Sequence, residues 1–243
     1  MAISASYDGF GAAPSLPSGI EASVSPVLAV MYMSRVFGRQ FTQVKQRFDL
    51  MFILTPGASF GYEPSAKFVE YVQSTIKTKI QLVVCLDQLI DSSLANSAGE
   101  PSAPSLYIYD SKRSRSSSIR EAFVYYLRQE ANRRPDIVAS VVDTGVYELE
   151  EGSKDFVPFE HIAYASKGLA ALTLSVKSPD NIPKSRFEKF SVLDTEMCLC
   201  SLSKLLFLLN EAVAQTIVSP DLQIEGQLFG TDGIKKADKQ YLR

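Results

Sequence analysis

A single histidine, His161, stands in a chain of 243 residues. A two-zinc hydrolase needs several imidazole and carboxylate ligands plus a carboxylate base, which one histidine cannot supply. Serine or cysteine hydrolysis is short of the same residue, and no Gly-x-Ser-x-Gly elbow sets a nucleophile at a strand end. No Gly-x-x-x-x-Gly-Lys run follows a strand, so a phosphate-binding loop is excluded. The three cysteines, Cys85, Cys198 and Cys200, fit neither a disulfide framework nor zinc-finger spacing and read as buried thiols. Asn96, Asn132, Asn181 and Asn210 begin no Asn-x-Ser/Thr sequon, so glycosylation gives no sign of compartment.

An excess of either charge is also lacking. Lys plus Arg total 25 against 27 Asp plus Glu, which leaves no field to draw in nucleic acid or anionic lipid. The most basic stretch, Lys112, Arg113 and Arg115 among serines, reads as a solvated loop. The N-terminus has no basic region ahead of an apolar core, and apolar runs such as Leu205 to Leu209 are far too short for a bilayer.

What is there is an ordinary globular balance, 46% apolar and 21% charged residues, in a length that suits one large domain. Short apolar runs alternate with segments of helical period, the pattern of strands and helices layered on a mostly parallel sheet. Strands are expected at Met1 to Ser6, Phe48 to Leu54, Ile80 to Leu86, Leu106 to Tyr109, Ile137 to Val142 and Leu169 to Ser175. The first begins abruptly, like the end of a strand whose neighbours are absent, so an N-terminally truncated chain is expected.

Ser25-Pro26 reads as a helix start and Gly38 as its stop. Further helices are expected over Ser65 to Ile76, from a Ser118 cap to near Arg134, and from an Asp194 cap through Leu199, Leu202, Leu206, Leu209, Val213 and Ile217. Asn96 to Pro104 and Glu148 to Asp155 read as loops. Asn210 and Glu211 would be costly in hydrocarbon, so the last helix is a core helix and not a span. Residues 1–218 are expected to form one domain. Ser219-Pro220 ends it, and 219–243, with Lys235, Lys236 and Lys239, reads as a polar connector.

Several strand ends carry residues whose order is specific when taken together. Ser6-Tyr7-Asp8, then Gly19-Ile20-Glu21-Ala22-Ser23 before a helix, a strand ending in Asp87, Glu160-His161, and Asp194-Thr195 before the last helix resemble the zinc-aminopeptidase-like family, in the branch that holds nicastrin and nicalin. The likeness runs roughly from Ser4 to Pro220. Tyr7-Asp8-Gly9-Phe10-Gly11 with Ala13-Pro14, Val84-Cys85-Leu86-Asp87, Phe159-Glu160-His161 and Ala171-Leu172-Thr173-Leu174-Ser175 favour the nicalin side. The resemblance implies a three-layer α/β/α fold with a mostly parallel, mixed central sheet.

The family's catalytic pattern meets gaps here. Active members have His-x-Asp where this chain has Ser6-Tyr7-Asp8, so the first imidazole is replaced by Ser6. Their bridging aspartate falls on Glu21. Their Glu-Glu pair, the general base and a ligand, falls on Ala58-Ser59. Asp87 keeps a terminal ligand position, while the last imidazole falls on Phe190, which is expected to fill part of the former cleft. His161 belongs to a neighbouring motif and is expected to hold a loop by a hydrogen bond. Asp8, Asp87 and Asp194 also have plain structural readings as turn-former, loop cap and helix cap.

No catalytic, cofactor-binding or metal-binding residue is therefore expected, and no cofactor. The resemblance implies a non-enzymatic subunit of an endoplasmic-reticulum membrane complex, with its domain in the lumen and its membrane tether outside this chain. The implied partners are a nodal modulator-like protein, a small multipass membrane subunit and the Sec translocon, in the biogenesis of multipass membrane proteins. The alternative is a residual metal-binding hydrolase in which Asp8, Glu21 and Asp87 gather around a hard cation.

Overall fold

The structure is a computed structural model that describes residues 1–8, 20–40, 46–75, 79–90, 103–111, 117–146, 157–182 and 199–218. Six strands form one sheet: β1 (Ala2–Ser6), β2 (Met51–Thr55), β3 (Val83–Leu86), β4 (Ser105–Asp110), β5 (Ser140–Val146) and β6 (Ala171–Ser175). Their order is β2-β1-β3-β6-β4-β5. All pairs are parallel except β4 with β6. The helices are α1 (Ser25–Gln40), α2 (Glu63–Thr75), α3 (Ser118–Arg133), α4 (His161–Ser166) and α5 (Leu199–Ile217).

Period-two alternation in the central strands builds two cores. Ile3, Ala5, Val84, Leu86, Leu172 and Leu174 face one way and pack with Met33 of α1, Phe123 of α3 and the apolar stripe of α5. Ala2, Val83, Cys85 and Ala171 face the other way and pack with Val69 of α2 and Tyr164 of α4. Helices on both faces of a mixed sheet give the three-layer α/β/α architecture expected. Within α5, Leu202, Leu205, Leu206, Leu209, Val213 and Ile217 are all buried, each contributing about 1.5–3 kcal/mol. No described helix is long and apolar enough to cross a membrane.

Several local expectations shift, and β2, β3 and β6 begin two or three residues later than expected. Gly38 does not end α1, which runs on to Gln40. Ser25 does not cap a free helix end, because a π-helical turn over Ile20–Val24 leads straight into it; its Oγ accepts the Leu89 N–H at 3.1 Å instead. Ser118 is the first residue of α3, and Ser117 takes the cap position without a side-chain hydrogen bond. Strand β5 starts later than Ile137, because Ile137 and Val138 donate their N–H groups to Arg134 O in a turn. His161 opens a short helix, α4, rather than holding a loop. The helix cap at Asp194, the loops around Asn96 and Glu148, and the connector over 219–243 lie outside the described residues.

Candidate functional site

Connections from β1 and β3 leave in opposite directions along the sheet, the first to β2 and the third past β6 to β4. In open α/β sheets the crevice beyond the carboxyl ends of such a pair is where ligands bind. The register that pairs Ala5 with Leu86 brings Ser6 and Asp87 to that point. There the described residues line a cavity of about 10 Å³ formed by Ser6, Ala22, Tyr62, Cys85, Asp87, Glu160 and Thr173, among others. That is room for about one water.

The turn after β2 closes the crevice. Gly57 at φ 89°, Gly61 at φ 71° and Tyr62 at φ 58° are all left-handed. Glycine is at ease in that conformation and tyrosine is not. A Cβ on Gly57 would lie 2.7 Å from the Pro64 ring, so the first position takes no side chain. The bend swings Tyr62 inward until it is 2% exposed, with its hydroxyl 3.4 Å from Pro158 O. Burial first, and the surrounding acidic groups second, push the Tyr62 phenol well above its usual range. Ala58 is buried in the same turn.

Of the residues singled out from sequence, Ser6 and Asp87 do meet in this cavity. The Ser6 Oγ is buried and has no hydrogen-bond partner among the described residues. Asp87 is buried at the mouth of the sheet, and its N–H donates to Leu174 O. The Asp8 carboxylate accepts the Gly57 N–H, tying the end of β1 to the turn after β2, while the loop that follows Asp8 lies outside the described residues. His161 is fully buried, with its Nδ1 2.8 Å from Thr173 Oγ1. The side chains of Glu21 and Ser59, and the whole of Phe190, lie outside the described residues. Among the described residues Tyr62, not singled out from the sequence, is a large side chain that lines the crevice. Among the described residues no group of three or more His, Cys, Asp or Glu is placed to hold a metal.

Directly behind the cavity lies a carboxyl group whose role the sequence did not reveal. Glu160, at the start of α4, is fully enclosed, and its Oε1 accepts from Thr55 Oγ1 at 2.6 Å, Ser65 Oγ at 2.7 Å and Tyr164 Oη at 3.2 Å. Its Oε2 lies 3.0 Å from Ser4 Oγ. Burial pushes the Glu160 acid above the usual carboxylate range, and the four hydroxyls pull it part of the way back. Tyr164, nearly as deep, is pushed far up by burial and then by its acidic neighbours. The available sequence signal is polar residues within apolar strands: Ser4 in Ala-Ile-Ser-Ala-Ser and Thr55 at the end of Met-Phe-Ile-Leu-Thr.

Comparison with known proteins agrees with this geometry. No family model matches the chain. BOS complex subunit NCLN of Gallus gallus is 26% identical over 206 residues, covering 81% of this chain and 34% of the relative. The subunit of the same name from Homo sapiens is 28% identical over 183 residues, 72% of this chain and 30% of the relative. The chain therefore spans about a third of the length of these curated relatives. Among solved structures, a zinc aminopeptidase from Bacillus subtilis superposes with a TM-score of 0.64 at 14% identity, over 90% of this chain and 46% of that one. The LapA aminopeptidase of Legionella pneumophila gives 0.64 at 15% identity, over 90% and 50%. By sequence this chain is a relative of nicalin, the NCLN subunit, and by fold it is a zinc-aminopeptidase-like α/β domain.

Proposed function

We propose that this chain is the aminopeptidase-like part of a non-enzymatic membrane-complex subunit, acting by binding other proteins rather than by hydrolysis. The observation that carries this reading is the small crevice. Where the sheet topology calls for a ligand there is a cavity of about 10 Å³ lined by Tyr62 and Ser6, and the family resemblance puts an imidazole at Ser6 and a carboxylate at the buried Ala58. The sequence relatives named as BOS complex subunits support the assembly role. On the nicalin pattern the complex sits in the endoplasmic-reticulum membrane with this domain in the lumen. A nodal modulator-like protein and a small multipass subunit are its partners, and multipass membrane proteins at the Sec translocon are its clients.

The test is fractionation of cells expressing the endogenous full-length product, with affinity capture from the membrane pool and elemental analysis of the purified protein. A membrane pool that carries a nodal modulator-like protein, with less than about one zinc per ten chains, is the expected result. Recovery wholly in the cytosol after a simple spin, or about one tightly held zinc per chain, would overturn the reading.

A further inference from the structure

Among the described residues, two that are not glycine take a left-handed backbone, Tyr62 at φ 58° and Gln88 at φ 40°. Both stand at the same crevice. Gln88 directly follows Asp87, and Asp87 and Tyr62 line one cavity. Conformations of this kind persist only where the surroundings hold them, and they gather at clamps and switches. Gln88 is held by the sheet, since its C=O accepts the Val176 N–H at 2.9 Å. Tyr62 is held by a strap, residues 57–62. The N–H groups of Phe60 and Tyr62 donate to Gly57 O at 3.0 and 2.9 Å, and the Ser65 N–H donates to Tyr62 O at 3.0 Å. These bonds tie the strap to itself and to the start of α2. Left-handed glycines at 57 and 61 supply a pivot near each end. The Tyr62 ring belongs to a small cluster with Ala22, Ala58 and Ala163, packed by Ala66 and Val157 and separate from the two cores of the sheet. On the outer side Phe60 is 70% exposed, so outward movement meets solvent.

We propose that residues 57–62 form a hinged gate that swings outward as a unit about Gly57 and Gly61 while the sheet stays folded, baring Ser6, Cys85 and Asp87 on the floor of the crevice. Opening gives up the contacts of one aromatic ring with small neighbours and releases Tyr62 from its left-handed φ. Both sheet cores stay packed, which makes this a local opening well below the cost of global unfolding. The motion stops at α2, because Ser65 Oγ donates to Glu160 Oε1 at 2.7 Å and fixes the first turn of that helix. The closed cavity has room for about one water; the open one adds the space of a phenol side chain. This inference stands independently of the assembly role.

Cys85 is a built-in reporter: it lines the cavity and is 1% exposed. Iodoacetamide is far larger than one water and reaches the thiol only through an opening. The experiment alkylates the reduced full chain at urea concentrations below its unfolding transition and follows the Cys85 peptide by mass spectrometry. A rate that does not change with urea in this range is expected, as for a local opening that exposes little surface. Val124→Ala, in the core beneath α3, removes two buried carbons and raises the unfolded population about tenfold. It is expected to leave the Cys85 rate unchanged. Gly61→Ala fits sterically, with its Cβ 3.6 Å from Val157 Cγ2, but is strained at φ 71°. It disfavours the closed strap and is expected to speed alkylation about tenfold. A rate that climbs with urea from the outset and rises about tenfold in Val124→Ala would mean that global unfolding is the route, and would overturn the proposal. So would alkylation confined to the unfolding transition, or a Gly61→Ala rate equal to that of the natural chain.

Discussion

Ser6→His puts an imidazole where the family resemblance expects one, into a cavity of about 10 Å³. An imidazole far exceeds one water, and the wall opposite is Tyr62, itself 2% exposed. Forcing extra atoms into a packed site costs typically 1–3 kcal/mol. We expect about 2 kcal/mol, which for a chain of this length lowers Tm by about 4–8 °C. Ser6→Ala is the control. The Ser6 Oγ makes no hydrogen bond among the described residues, so its removal is expected to be neutral or slightly stabilising. Tyr62→Ala alone should cost about 3–5 kcal/mol through the cavity it leaves, because an alanine at φ 58° keeps the backbone strain and loses the packing. In the double variant the imidazole enters the space vacated by the phenol. The two costs should then fall short of additivity by about 1 kcal/mol or more, as for side chains sharing one cavity. Thermal and denaturant unfolding of the four proteins measures this directly. If Ser6→His is as stable as the natural chain and takes up zinc, or if the costs simply add, Tyr62 does not close the site.

Two further outcomes follow from the same neighbourhood. Gly57→Ala is expected to cost about 2 kcal/mol or more by denaturant unfolding, since it combines a left-handed φ of 89° with a Cβ 2.7 Å from the rigid Pro64 ring, each a costly misfit; a change under about 0.5 kcal/mol would show the turn to be free to relax. Tyr62 and Tyr164 are both pushed up by burial, so their folded-state values exceed the unfolded one. Stability from keeping them as phenols is full below about pH 10 and is lost above it. An ultraviolet titration should show these two ionising only together with unfolding, and reversible ionisation in the folded chain would refute their burial.

The strands β1, β3 and β6 and the stripe of α5 were legible because a continuous apolar run or a spacing of three and four leaves few alternatives. Where a turn absorbed residues of the right type, the reading slipped. Ile137 and Val138 are buried and apolar, but they cover the core from a turn, and β5 begins only at Ser140. Helix α4 has six residues, His161–Ser166, too few for periodicity to register. That Ser6 and Asp87 stand at strand ends was legible because a local apolar pattern fixes where each strand stops; their meeting was not. The cluster around Glu160 was not legible, since Glu160 lies 156, 105 and 95 residues from Ser4, Thr55 and Ser65. Serine and threonine of this kind occur everywhere, and only three-dimensional closure tells these apart. Tyr62 was missed for a related reason: nothing in Gly61-Tyr62-Glu63 announces a left-handed tyrosine turned inward.

Strand β6 lies between β3, which it pairs in parallel, and β4, which it pairs in antiparallel fashion. Before residues 171–175 exist, the nascent polypeptide holds two unconnected ribbons, β2-β1-β3 and the future β4-β5 pair, each with a raw edge facing the gap. Those edges are made of Val83 to Leu86 and Ser105 to Asp110, and they share no pairing partner until the keystone strand arrives. On the ribosome the sheet therefore cannot assemble progressively from one side. It joins late and all at once, after most of the chain has left the exit tunnel. In that interval the open apolar ribbons are exposed to mispairing.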